Sequence, residues 1–267
     1  MIAVIAGTGN LPVHACKSLL ASKKDFYVIC LFPNDNAEKI KSVLNNQVPI
    51  IEEKFYKLGK ILALLKELQT KELLFIGKVD KRNLFKNFKF DFLAIKLLTS
   101  TLYKSDKQIM ETLLSVLKKE NIEVLNQQEV LKNLLVSPGI LTGKIDKDLE
   151  ENISYGMQVA ENISFADIGQ TIAIKDKMIL AVEAIEGTDE CILRGIALGQ
   201  KDIIICKTAH KNQNKKYDLP TLGPSTLKNI NPGEIKVIAW KSDQTFISDQ
   251  EEFILIAQKL GITLISV

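Results

Sequence analysis

Apolar residues along this chain fall into short runs separated by amphipathic stretches, and that alternation sets the expected elements. Met1 to Ala6 reads as a buried strand, followed by the turn Gly7-Thr8-Gly9-Asn10 and a helix from about Pro12 to Ser22. Proline suits the first turn of a helix, where its missing N–H would have had no intrahelical partner. Phe26 to Phe32 is a second buried strand closed by Pro33-Asn34, Leu58 to Gln69 has helical spacing, and Glu72 to Val79 is a third strand. Lys107 to Glu120 is amphipathic again, with a short strand at Ile122 to Leu125. Continuous apolar strands alternating with helices predict a parallel sheet covered on both faces, a Rossmann-like α/β layer.

Ser137-Pro138-Gly139 and Thr142-Gly143 read as a linker, and beyond them the pattern changes. Asp146 to Ile163 has helical spacing. Thr171 to Ile174 and Met178 to Ala184 flank Lys175-Asp176-Lys177 as a hairpin would. Strands follow at Ile203 to Cys206 and Ile235 to Trp240, then a helix near Ser248 to Lys259 and a last strand at Ile262 to Val267. The expected organisation is a Rossmann-like N-terminal domain over 1–136, a linker over 137–145 and a mixed α+β C-terminal domain over 146–267.

A length of 267 residues is enough for two cores. No apolar run approaches the ~18 residues of a membrane span. The start, MIAVIAGTGNLP, is too short and lacks the preceding basic residue of a signal peptide. Cys16, Cys30, Cys191 and Cys206 stand apart with no C-x-x-C pair, which argues against zinc ribbons and thioredoxin-like chemistry and suits a reducing cytoplasm. A net charge of only +3 sets aside a general nucleic-acid binder. Its distribution says more: residues 1–135 carry 21 Lys and Arg against 14 acids, and 136–267 carry 14 against 18. A basic half and an acidic half suit an anionic substrate with a cation on the acidic side, although random surface asymmetry would look the same.

Gly7-x-Gly9 begins a dinucleotide fingerprint, but Pro12 occupies the third glycine's place and no acidic residue closes the second strand. That argues against an NAD(P) site. A glycine turn feeding a helix still offers backbone N–H groups to a phosphate or a sugar hydroxyl, with a purely structural turn as the alternative. Gly77-Lys78-Val79-Asp80-Lys81-Arg82-Asn83 sits at the end of the third strand, where ligands of open α/β sheets bind; a solvated basic turn is the plainer reading. Between Lys78 and Lys107 eight basic residues interleave with Phe85, Phe88, Phe90, Phe92 and Tyr103. Such interleaving fits single-stranded nucleic acid, an anionic membrane surface, or simply core aromatics between surface lysines.

The densest chemistry lies further on. Glu183-Ala-Ile-Glu186-Gly187-Thr188-Asp189-Glu190 puts four carboxylates in eight residues after an apolar strand. Thr188 is read as the N-cap of a following helix, with Asp189 and Glu190 in its first turn. Capping leaves Glu183 and Glu186 unexplained, because grouped carboxylates are costly without a cation or hydrogen-bond donors. With only His14 and His210 in the chain, Mg²⁺ is the better expectation than zinc. The loop from Lys207 to Gly223 is basic and holds one carboxylate, Asp218, before Leu219-Pro220. Lysines and a lone carboxylate suit phosphate chemistry, the cation neutralising charge and Asp binding metal or activating water. A flexible loop ended by an Asx-Pro turn is the alternative.

The runs IAGTGNLP (5–12), GKVDKR (77–82), SDKQIMETLL (105–114), DIGQ (167–170), AVEAIEGTDECILRG (181–195) and KTAHKNQNKKYDLPTLGPSTL (207–227) occur in one order. Together they resemble the UDP-2,3-diacylglucosamine pyrophosphatases of the LpxI type, from bacterial lipid A synthesis. The resemblance implies Mg²⁺-dependent cleavage to UMP and 2,3-diacylglucosamine 1-phosphate, by attack of water on the α-phosphorus with substrate held between two domains. It places the catalytic aspartate at Asp218 beside Lys207, and metal contacts at Asp218 and Glu183. Substrate contacts would fall on Gly9, Asn10, Leu11, Gly77, Lys78, Val79, Asp106, Gln170, Glu186, Gly187, Thr188, Asp189 and Thr221. Asn83 departs from the family's usual proline, and His210, Asn214 and Lys216 depart from its usual loop. The segment 84–103 would make at most a peripheral contact with the inner membrane surface, and a homo-oligomer stays open. Rival readings are a non-catalytic nucleotide-sugar or membrane-surface binding protein, and an NAD(P)-dependent nucleotide-sugar enzyme.

Overall fold

The structure is a computed structural model that describes residues 1–31, 33–78, 91, 106–209, 214–217 and 219–267, with the backbone alone at 33–35 and 106–107. The chain divides into two compact units, Met1–Leu131 and Lys132–Val267. Among the described residues no helix is long and apolar enough to cross a membrane.

In the first unit, β1 (Ile2–Ala6), β2 (Phe26–Cys30), β3 (Ile50–Glu52), β4 (Glu72–Ile76) and β5 (Glu123–Val124) form a parallel sheet in the order β3-β2-β1-β4-β5. Every residue of β1 and β2 is buried, as their unbroken apolar runs require of a strand covered on both sides. One face packs Ile5, Ile29 and Leu73 against Ile61 and Leu65 of α3 (Leu58–Glu67) and Leu117 of α4 (Asp106–Lys119). The other carries α1 (Leu11–Ala21) and α2 (Pro33–Leu44), which contact β1 and β2. A short α5 (Gln127–Val130) closes the unit, its Asn126 cap accepting from Gln128 N–H at 3.0 Å. The sequence reading took Pro33 as the stop after a strand. Proline also opens helices, and it is the first residue of α2, a helix the reading missed along with β3.

The second unit is built on a six-stranded mixed sheet of β6 (Gly139–Thr142), β7 (Thr171–Lys175), β8 (Met178–Val182), β9 (Ile203–Lys207), β11 (Ile235–Trp240) and β13 (Thr263–Ser266). The order is β6-β13-β11-β9-β7-β8. β9, β11 and β13 run parallel, while β6, β7 and β8 pair antiparallel. A two-stranded parallel sheet joins β10 (Thr221–Leu222) to β12 (Phe246–Ile247). Strand alternation divides the core cleanly. Ile203 and Ile205 face α7 (Thr188–Gly199) and α8 (Gln250–Leu260), whereas Ile204 and Cys206 face α6 (Lys147–Phe165). Asp146 starts α6 by accepting from Leu149 N–H at 2.9 Å. Within the stretch 137–145, read as a linker from its Pro, Gly and Thr, residues 139–142 form β6 on the edge of this sheet. Turn residues on both sides masked a strand of only four residues.

Candidate active site

Two groups of the sequence-expected residues gather at strand ends, one in each unit. In the first unit the chain reverses strand order on either side of β1, and such a switch point opens a crevice beyond the strands' carboxyl ends. Gly7-Thr8-Gly9 leaves β1 there and Gly77-Lys78 leaves the adjacent β4. The two turns are tied together. Thr8 N–H donates to the Lys78 carbonyl at 2.8 Å and Lys78 N–H returns to Thr8 at 3.0 Å. A Cβ on Gly7 would sit 2.4 Å from the Lys78 carbonyl oxygen, so neither turn has room for a side chain at the crossing. Buried Asn36 adds a donor to the Gly7 carbonyl. Gly9, at φ +91°, then turns the chain into α1, where the Asn10 carbonyl accepts from Val13 and His14 and Leu11 is the first helical residue. Gly9, Asn10, Leu11, Gly77 and Lys78 therefore belong to one crevice. Val79 and the basic–aromatic segment lie outside the described residues, and Asp106 is placed only as the first residue of α4.

The second group follows from the hairpin. Because β7 runs antiparallel to both β9 and β8, its first residue meets the ends of its two neighbours. Thr171 is in register with Lys207, and Ile172 with Val182, the residue before Glu183. Three chain segments distant in sequence thus deliver Lys207, Thr171 and Glu183 to one end of these strands, and α7 starts shortly after Glu183.

Lys207 is 4% exposed. Its Nζ donates to Thr171 Oγ1 at 2.9 Å and to Thr188 Oγ1 at 2.7 Å, and lies 3.8 Å from Glu183 Oε2. The Thr188 hydroxyl donates in turn to Glu183 Oε1 at 2.9 Å, and Gln170 N–H reaches Glu183 Oε2 at 3.3 Å. Burial pushes the Glu183 carboxyl up, but the Lys207 charge, the two threonine hydroxyls and the Gln170 N–H outweigh it, so it ends below the ordinary carboxylate value. Trp240, wholly buried, is the register partner of Lys207 on its other side. Cys191 lies behind the group with its thiol raised to about 12, mainly by burial and then by the Glu183 charge, which makes it inert.

Thr188 is not the helix cap expected of it. Gly187, at φ +88°, is the N-cap, and Thr188 is the first helical residue, its hydroxyl spent on Lys207 and Glu183. Glu186 turns away from this group. Arg194, one helical layer further on, pairs with it and also donates to the Val182 carbonyl at 2.7 Å. Asp189 is exposed in the first turn of α7, where its charge suits the helix N-terminus. Gln170 contributes its backbone, the N–H to Glu183 and the carbonyl to Thr208 N–H at 2.8 Å. Thr221 opens β10, and its hydroxyl donates to the Leu219 carbonyl. Thr171 is the residue the sequence reading missed. No local signal marks it, because a threonine opening a strand is an ordinary choice.

Among the described residues no group of three His, Cys, Asp or Glu is placed to hold a metal ion. Glu183 accepts from Thr188 and Gln170 and has the Lys207 ammonium 3.8 Å from Oε2, so a divalent ion at this carboxylate would face a like charge. Asp218, the other carboxylate expected to bind metal, lies outside the described residues.

Comparison with known proteins agrees with this two-part construction. The LpxI N-terminal domain model matches residues 1–134 and the LpxI C-terminal domain model residues 137–265. The UDP-2,3-diacylglucosamine pyrophosphatase LpxI of Caulobacter vibrioides is 27% identical over 282 aligned residues, which cover 100% of this chain and 97% of that protein. With both models matched in order and almost every residue inside one of them, the chain belongs to the LpxI family.

Proposed function

We propose that this protein hydrolyses the diphosphate of UDP-2,3-diacylglucosamine in the cytoplasm, as a step of lipid A synthesis. The observation that carries the reading is the buried Lys207, held at the end of a central strand by two hydroxyls and a carboxylate in a chain of this family. A cation fixed in advance in a dry setting stabilises developing negative charge far better than a mobile lysine in water.

Water attacks the α-phosphorus, a P–O bond forms to it, and the bridging P–O bond breaks. UMP leaves with the new oxygen, and 2,3-diacylglucosamine 1-phosphate leaves with the bridging one. Lys207 neutralises a non-bridging oxygen as the charge spreads, and Asp218 orients the water or takes its proton. Mg²⁺ belongs to this reading: on a diphosphate it would supply Lewis-acid neutralisation, and Asp218 is the carboxylate that would hold it. The turn of Gly9, Asn10 and Leu11 into α1, beside Gly77 and Lys78, supports binding of a phosphate or sugar portion of the substrate at a helix N-terminus.

Incubating the purified protein with UDP-2,3-diacylglucosamine, detergent and Mg²⁺ should release UMP, and no UMP would overturn the assignment. In ¹⁸O-water the label should appear in UMP. Label in the lipid phosphate would move the attack to the other phosphorus.

A further inference from the structure

We infer that Glu183 and Thr171 are positioning residues, which hold the Lys207 ammonium in one place for the reaction, and that Glu183 does this instead of ligating a metal. The inference rests on the hydrolase reading above and assigns roles within its site. The hydrogen-bond directions carry it. Lysine has only N–H groups to give, so both threonine oxygens face Nζ as acceptors, at 2.9 and 2.7 Å. A hydroxyl that accepts must send its own proton elsewhere, and Thr188 sends it to Glu183 Oε1 at 2.9 Å. Glu183 therefore orders the hydroxyl that holds the lysine and also lies 3.8 Å from the lysine itself. Its charge acts twice on one cation.

Glu183 is itself held, at its backbone by Gly169 and at its carboxylate by Gln170. Gly169 packs so closely that a Cβ there would lie 2.1 Å from the Glu183 carbonyl oxygen, and Gln170 N–H meets Glu183 Oε2 at 3.3 Å. The glycine and glutamine of DIGQ thus fix Glu183, Glu183 and Thr188 fix Lys207, and Thr171 completes the cradle from its place in register with Lys207. A divalent ion on Glu183 would sit beside an ammonium of like charge, 3.8 Å from Oε2, and share its oxygens with Thr188 and Gln170. The arrangement is satisfied without one.

A misplaced cation weakens transition-state stabilisation more than ground-state binding, so the cost falls on kcat. Glu183→Gln keeps the shape and removes the charge, and should lower kcat roughly 10- to 100-fold with KM changed less than about threefold. Thr171→Val should lower kcat about 10-fold, and Thr171→Ser should recover most of that loss because it restores the hydroxyl. Three readouts separate this from a metal site or a fold defect. Mn²⁺ bound to the protein, followed by electron paramagnetic resonance, should show the same affinity in Glu183→Gln and wild type. The ¹⁵N-ammonium resonance of Lys207, slowed in exchange by its cradle, should be visible in the wild type and lost in Glu183→Gln. Thermal unfolding reports whether either variant has simply lost its fold. Tenfold weaker Mn²⁺ binding, with turnover restored by more Mg²⁺, would make Glu183 a metal ligand and overturn the inference. So would Thr171→Val with wild-type kcat. If the wild type releases no UMP while the ammonium signal still depends on Glu183, the hydrolase reading fails and the cradle stands.

Discussion

The two units gather functional groups at strand ends by opposite means. In Met1–Leu131 the crevice is made of backbone: Gly7 and Gly77 let two turns cross where no side chain fits. In Lys132–Val267 the centre is made of side chains, with a lysine and a glutamate drawn out of water and linked through threonine hydroxyls. The difference has a physical consequence. A backbone crevice depends on what is missing from its glycines. A buried ionic cradle depends on every member being present, since removing one strands the charge of another.

Breaking each region should show that contrast, and the cradle should suffer most. Lys207→Met leaves the Glu183 carboxylate, 13% exposed, beside two hydroxyls with no cation, and should cost about 3 kcal/mol in chemical denaturation, the low end for breaking a buried pair. Gly7→Ala forces a methyl group against the Lys78 carbonyl, a backbone atom that cannot swing aside, and should cost about 1–3 kcal/mol by the same measurement. Acid separates the units by sign. Because the folded Glu183 titrates below its ordinary value of 4.5, its pairing contributes fully above that pH. The contribution is lost as pH falls through the lower folded value. Glu183→Gln should flatten that acid limb of a stability–pH curve, and Gly7→Ala should leave its shape unchanged. The smallest effect belongs to Gly9→Ala, where open space surrounds the Cβ and only the left-handed backbone resists, at about 1 kcal/mol.

Much of this was legible from residues alone. The unbroken apolar runs at 2–6, 26–30 and 203–206 announced buried strands, because period and composition act locally. The hairpin about Lys175-Asp176-Lys177 was legible for the same reason, and the LpxI-type motifs pointed to the family that the domain models match. Elements that depend on pairing were not. β6 and β10 are too short to carry a period, and their existence comes from β13 and β12 beside them. In the acidic run, spacing could not distinguish four carboxylates of similar context. The structure gives Glu183 to Lys207, Glu186 to Arg194, and Asp189 and Glu190 to the first turn of α7. Thr171 escaped because its role comes from register with Lys207, 36 residues away, and no local pattern encodes that.

The most direct measurement is turnover of UDP-2,3-diacylglucosamine by the double variant Glu183→Gln, Lys207→Gln. It removes both charges together and so leaves no buried ion unpaired. With folding verified by its unfolding curve, UMP release should fall about 100- to 1,000-fold below wild type. Release within a few-fold of wild type would place the chemistry elsewhere than the Lys207 cradle.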